Sequence, residues 1–76
     1  MLSLPTSTKL YLATVPVDMR KAVDGLSVLV NTDLRQDPQS GHLFIFYNRA
    51  RNKLKCLYWD KNGFVLYYKR LVLSAV

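Results

Sequence analysis

Residues 42–70, "HLFIFYNRARNKLKCLYWDKNGFVLYYKR", decide the fold. Three short runs rich in aromatic and aliphatic residues, 42–47, 53–59 and 64–70, are separated by "NRARN" and "DKNG". Runs this short, bounded by Asn, Asp and Gly, read as strands rather than helices. Asn62-Gly63 is a strong hairpin signal. Parallel neighbours need a crossover of a dozen or more residues, so connections of this length join antiparallel strands. The stretch therefore predicts a three-stranded meander.

Upstream, "NTDLRQDPQSG" (31–41) holds two breakers, Pro38 and Gly41, in a polar cluster, and reads as helix end and loop. Before it, in "PVDMRKAVDGLSVLV" (16–30), Met19, Ala22, Val23, Leu26, Leu29 and Val30 recur at helical spacing. This predicts an amphipathic helix of roughly four turns, with Asp18 as its N-cap. Gly25 costs about 1 kcal/mol inside a helix. That cost implies either close helix–sheet contact or a separate first turn, with Asp24 capping a shorter helix; one continuous helix is the preferred reading. "TKLYLATVP" (8–16) alternates as a strand, with Leu10 and Leu12 on one face and Tyr11 on the other, and Pro16 ends it. The predicted architecture is a single α+β domain over 1–76: a small antiparallel sheet in β-α-β-β-β order with one helix packed on a face.

Candidate chemistry is sparse. Six residues on a helix rotate by about 240°, so Asp18 and Asp24 point in different directions and serve as helix punctuation rather than a catalytic pair. All five acids are Asp, and there is no Glu. Asp60 belongs to the hairpin turn, Asp33 and Asp37 flank a loop, and nothing makes these carboxylates converge as two-metal chemistry requires. His42 stands at a strand start without a nucleophile motif. Cys56, the lone cysteine, alternates with Leu54 and Tyr58 and reads as a small core residue. No phosphate-binding glycine loop or Cys/His metal spacing is present. The expectation is a protein that is not an enzyme, with no catalytic residue, no metal site and no cofactor. The N-terminus lacks the pattern of a signal peptide, and no run approaches the roughly 20 apolar residues that span a bilayer, so a cytoplasmic protein without membrane contact is expected.

The charge is more informative. Eleven Lys and Arg against five Asp give +6, which favours a polyanionic partner. Arg49, Arg51, Lys53 and Lys55 recur at every second position, with no acid between Leu43 and Trp59. Lys53 and Lys55 share a strand face, and guanidinium forks suit phosphate. Lys69 and Arg70 on the last strand, with Arg20 and Lys21 at the helix start, complete a candidate surface for low-specificity DNA contact. The alternative is a solvated hairpin edge whose charges blunt self-pairing. The aromatics Phe44, Phe46, Tyr47, Tyr58, Trp59, Phe64, Tyr67 and Tyr68 populate both sheet faces, and one helix covers only one. The remainder fits a subunit interface or a missing element, or stacking on unpaired bases.

Asp18-Met19-Arg20-Lys21, Asp24-Gly25-Leu26, Gly41-His42-Leu43-Phe44, Asn48-Arg49, Trp59-Asp60, Gly63-Phe64 and Tyr67-Tyr68-Lys69-Arg70-Leu71 form a series of spaced blocks. In that order they resemble the TnpB-like accessory protein encoded by the second reading frame of insertion-sequence-66 type bacterial transposons, over about Lys9 to Leu71. The resemblance implies a bacterial, non-catalytic accessory protein in transposition that contacts DNA, the transposase of the same element, or both. A homo-oligomer is expected from the uncovered apolar surface. Family members typically continue after the Lys-Arg-Leu block, whereas "VLSAV" follows here, which implies a C-terminally shortened or frame-shifted copy. The alternative function is a protein-interaction or oligomerisation module without DNA binding.

Overall fold

A computed structural model describes residues 7–72. The elements are β1 (Leu10–Leu12), α1 (Val23–Thr32), β2 (Leu43–Tyr47), β3 (Lys53–Asp60) and β4 (Gly63–Arg70), in a four-stranded sheet of order β1-β2-β3-β4. The α+β architecture and element order are those expected. The meander is antiparallel throughout, with Phe44 opposite Leu57 and Leu57 opposite Leu66. β1 adds a different feature, because it pairs parallel with β2 in the register Leu10–Leu43, Tyr11–Phe44 and Leu12–Ile45. The sheet is therefore mixed. The passage through α1 supplies the long crossover that a parallel neighbour needs.

The pairing outlasts the strand. Leu43 N–H donates to the Lys9 carbonyl, Ala13 N–H to Ile45 and Val17 N–H to Tyr47. Pro16, which has no N–H to give, falls between the last two contacts. His42 Nδ1 accepts the Lys9 N–H at 3.1 Å, so the histidine secures the entry into β1.

Leu26 and Val30 of α1 pack on Phe44, Phe46 and Leu57, with Ala13 at the margin; all but Ala13 are at most 1% exposed. Tyr11 stacks on Phe44 with ring centroids 5.5 Å apart, and Trp59 meets its cross-strand partner Phe64 edge-on at 5.0 Å. Directly opposed residues share a face. The helix side thus carries Tyr11, Phe44, Phe46, Lys53, Lys55, Leu57, Phe64, Leu66 and Tyr68. The other side carries Leu10, Leu12, Ile45, Leu54, Cys56, Tyr58, Val65, Tyr67 and Lys69. Among the described residues no element lies over that second side, and Leu10 and Leu12 are 64% and 61% exposed.

The helix is shorter at its start than the apolar spacing predicts, and Asp18 does not cap it. The N-cap is Ala22, with no side-chain hydrogen bond, and Asp24 stands within the first turn. There its charge suits the positive end of the helix dipole. Residues 18–21 instead form a separate turn, in which Lys21 N–H donates to the Asp18 carbonyl. Met19 still reaches the core from this turn, which explains why the helical spacing extended too far upstream. Gly25 is not explained by sheet contact, because the nearest atoms to a side chain there would belong to Lys21. At the other end Arg35 adopts φ +53°, while Gln36 N–H donates to the Val30 carbonyl and closes the helix.

Phe44→Ala should cost about 3–5 kcal/mol, because the ring is fully buried between α1 and two neighbouring strands. Leu10→Ser, on the uncovered side, should change stability by no more than about 0.5 kcal/mol. Urea denaturation of both variants beside the parent protein measures the contrast.

Candidate nucleic-acid interface

The turn at 18–21 is held from two directions. The Asp18 carboxylate accepts the Arg20 backbone N–H at 2.8 Å and pairs with its guanidinium, Nη2 to Oδ2 being 2.6 Å. From the sheet, Lys55 Nζ donates to the Met19 carbonyl at 2.7 Å and the Lys21 carbonyl at 2.9 Å, and it lies 5.6 Å from the centre of the Tyr68 ring. In a longer helix those two carbonyls would accept N–H groups four residues on. Lys55 takes them instead, and this fixes the start of α1 at Val23.

Beyond this turn α1 no longer covers the sheet. An open cleft of about 790 Å³ lies there, lined by Val17, Asp18, Met19, Arg20, Asn48, Arg49, Ala50, Lys53, Lys55, Leu66 and Tyr68. Four cations face one carboxylate, and that carboxylate is already paired with Arg20. Arg49 is presented by the β2–β3 turn, whose shape comes from Asn48. The Asn48 side-chain oxygen accepts the backbone N–H groups of Asn52 and Lys53 at 3.1 and 3.0 Å, and its amide donates to Asn52 Oδ1 at 2.7 Å. Arg51 completes this turn with φ +58°. Arg70 is the cross-strand partner of Lys53 and shares its face.

Of the eight basic residues expected to form the surface, Arg20, Arg49, Lys53 and Lys55 therefore line one cleft, with Arg70 on the same side of the sheet. The remaining three lie elsewhere. Lys69 pairs with Leu54 on the opposite side. Arg51 borders a second hollow of about 300 Å³ with Leu12, Tyr47, Leu54 and Leu71, and Lys53 lines this hollow as well as the cleft. Lys21 lies beside Gly25, outside the cleft lining. Asn48 and Tyr68 join the site without having been singled out in the basic pattern. Asn in a connecting loop was a visible turn signal; the cross-strand register that sets Tyr68 beside Lys55 was not.

The Asp18 carboxyl has its pKa lowered to about 2, chiefly by the hydrogen bonds from the Arg20 side chain and backbone. The Cys56 thiol, 8% exposed, is pushed up by burial, opposite to the shift that activates a nucleophile. Among the described residues no three His, Cys, Asp or Glu side chains group closely enough to hold a metal ion, and no helix is long and apolar enough to cross a membrane.

A family model described as IS66 Orf2-like protein matches residues 8–74. Two curated proteins of Sinorhizobium fredii are similar to the chain. The uncharacterized protein y4jC is 40% identical over 63 residues, covering 83% of this chain and 54% of the relative. The uncharacterized protein y4hO is 34% identical over 71 residues, covering 93% and 62% respectively. The chain thus spans a little over half the length of these relatives. No solved structure matches it.

Two outcomes test this geometry. A carboxyl titration followed by NMR should place the Asp18 midpoint near 2 rather than at the ordinary 3.8. Because the folded-state value is depressed, the stability linked to Asp18 is complete above about pH 4. It is lost as the pH falls towards 2. Separately, Lys55→Met should lower stability by about 1–3 kcal/mol in denaturant, since the Met19 and Lys21 carbonyls lose a charged donor. Lys53→Met, whose side chain donates no such bond among the described residues, should be close to neutral.

Proposed function

The chain belongs to the IS66 Orf2-like family, a family associated with transposition, and we propose that it serves as a non-catalytic transposition accessory whose basic cleft contacts DNA. The observation that carries this reading is the convergence of Arg20, Arg49, Lys53 and Lys55, from three separate segments, on one open cleft with a single neutralised acid. Folding brings these charges together on a surface that leaves them accessible. Lys55 contributes its charge to the field while its ammonium remains bound to two carbonyls. Arg20 is engaged with Asp18, so Arg49 and Lys53 are the groups left to engage phosphate.

Contacts of this kind position a protein on nucleic acid without reading bases. The binding proposed is accordingly weak and sequence-tolerant, micromolar or poorer at physiological salt. Specific placement on the element would then come from the transposase of the same element acting as partner, in the bacterial cytoplasm. A second reading, a protein-interaction or oligomerisation module, is favoured by the bare apolar side of the sheet. There Leu10, Leu12 and Tyr67 are each about half exposed or more.

Fluorescence anisotropy with labelled DNA, repeated across salt concentrations, separates the two. The parent protein should bind unrelated sequences alike, with affinity falling steeply as salt rises. Arg49→Ala combined with Lys53→Ala should weaken all sequences equally and reduce the salt slope by about 1–2. The pair Arg51→Ala and Lys69→Ala, outside the cleft, should change it less. Absence of salt-sensitive binding in dilute buffer would leave the interaction module as the function.

A further inference from the structure

We infer that the cleft takes single-stranded rather than duplex DNA, with an unpaired base stacked on Tyr68; this rests on the DNA-contact reading above. Tyr68 is 50% exposed although it stands on the side of the sheet that also carries the core. Its ring lines the same cleft as Arg20, Arg49, Lys53 and Lys55. Leu66, two residues earlier on the same strand, extends an apolar floor beneath the cations. A surface built to follow duplex phosphates has no use for an apolar floor with an exposed ring, because bases in a duplex are stacked on each other. An unpaired strand presents both parts at once: phosphates for the basic wall and a base face for the ring.

The ring is also held in place. Lys55 Nζ, fixed by the Met19 and Lys21 carbonyls, lies over one face of the ring, 5.6 Å from its centre, which leaves the other face for a base. Cross-strand pairing of Lys55 with Tyr68 sets the backbone beneath. Tyr68 is therefore oriented before any ligand arrives, which reduces the ordering cost of binding. Its neighbour Tyr67 is 49% exposed but stands on the opposite side of the sheet, opposed to Cys56, away from every cation of the cleft. Exposure alone does not distinguish the two tyrosines; the charges around Tyr68 do. Stacking is indifferent to base identity, which agrees with the weak sequence preference proposed.

The test measures anisotropy of a short labelled oligothymidine and of a mixed-sequence duplex of equal length, at one low salt concentration. The parent protein should bind the single strand at least several-fold more tightly than the duplex. Tyr68→Ala should lower single-strand affinity by about tenfold and leave duplex affinity within twofold. Tyr68→Phe should retain the preference, Tyr68→Leu should lose it while keeping apolar bulk, and Tyr67→Ala should behave as the parent. Equal binding of both DNAs, unaltered by Tyr68→Ala, would overturn the stacking inference and leave the DNA-contact proposal standing. Failure to bind either DNA would overturn both. Circular dichroism of each variant establishes that it is folded.

Discussion

A ten-residue helix is about 15 Å long, whereas eight-residue strands extend about 27 Å. That mismatch governs the rest of this protein. α1 can shield only part of one side of the sheet, and it does so where Leu26 and Val30 meet Phe44, Phe46 and Leu57. Among the described residues, no helix covers the remaining length of β3 and β4 on that side. Its residues are accordingly Lys53, Lys55, Tyr68 and Arg70, which tolerate water at one end and cover apolar surface with their stems or rings. The cleft is the part of the sheet that the helix does not reach.

Lys55 stands at the border between these regions. It faces the same side as Leu57, two residues on, yet its ammonium is satisfied by two backbone carbonyls rather than by a carboxylate. Desolvating the cation is offset by charge-assisted hydrogen bonds, and those bonds at once terminate the helix upstream and hold the turn that carries Arg20. One side chain thus contributes to both the fold and the electrostatics of the cleft. Arg20 and Asp18, by contrast, form a surface pair whose own contribution to stability is small. It fixes the turn, and it neutralises one cation of the cleft together with its one acid.

The meander was legible because alternation, short polar connections and Asn-Gly all agree on it. The meander strands begin and end within a residue of the sequence reading, whereas the run 8–16, read as one strand, is a strand only over Leu10–Leu12. The helix start was not legible. Met19 fits a helical stripe and does reach the core, but from a turn fixed by Lys55, a residue 36 positions away. The parallel placement of β1 is equally non-local, since its residues alternate in the same way whichever direction the neighbour runs. For the candidate site, the alternation of Arg49, Arg51, Lys53 and Lys55 put Lys53 and Lys55 on one strand face, where the register also has them. Local spacing carries no record of register, so it could not separate Arg70 from Lys69 or assign Arg51 to a different hollow.

The parallel pairing also decides which strand is left uncovered if the sheet opens. β2, "LFIFY", holds no charge, no proline and no glycine, a composition prone to pairing with other chains when its edge is free. In the folded sheet β3 occupies one of its edges and the three residues of β1 guard the other. β1 is joined to that edge across more than thirty residues of chain, so closing it carries the loop entropy of the whole crossover. The meander has no such delay, because its strands are sequence neighbours. During synthesis β1 emerges first but has nothing to pair with until β2 follows. A copy that loses β1 exposes β2, and a second copy's β1 fits there in the same register, so strand exchange is the built-in hazard of this topology.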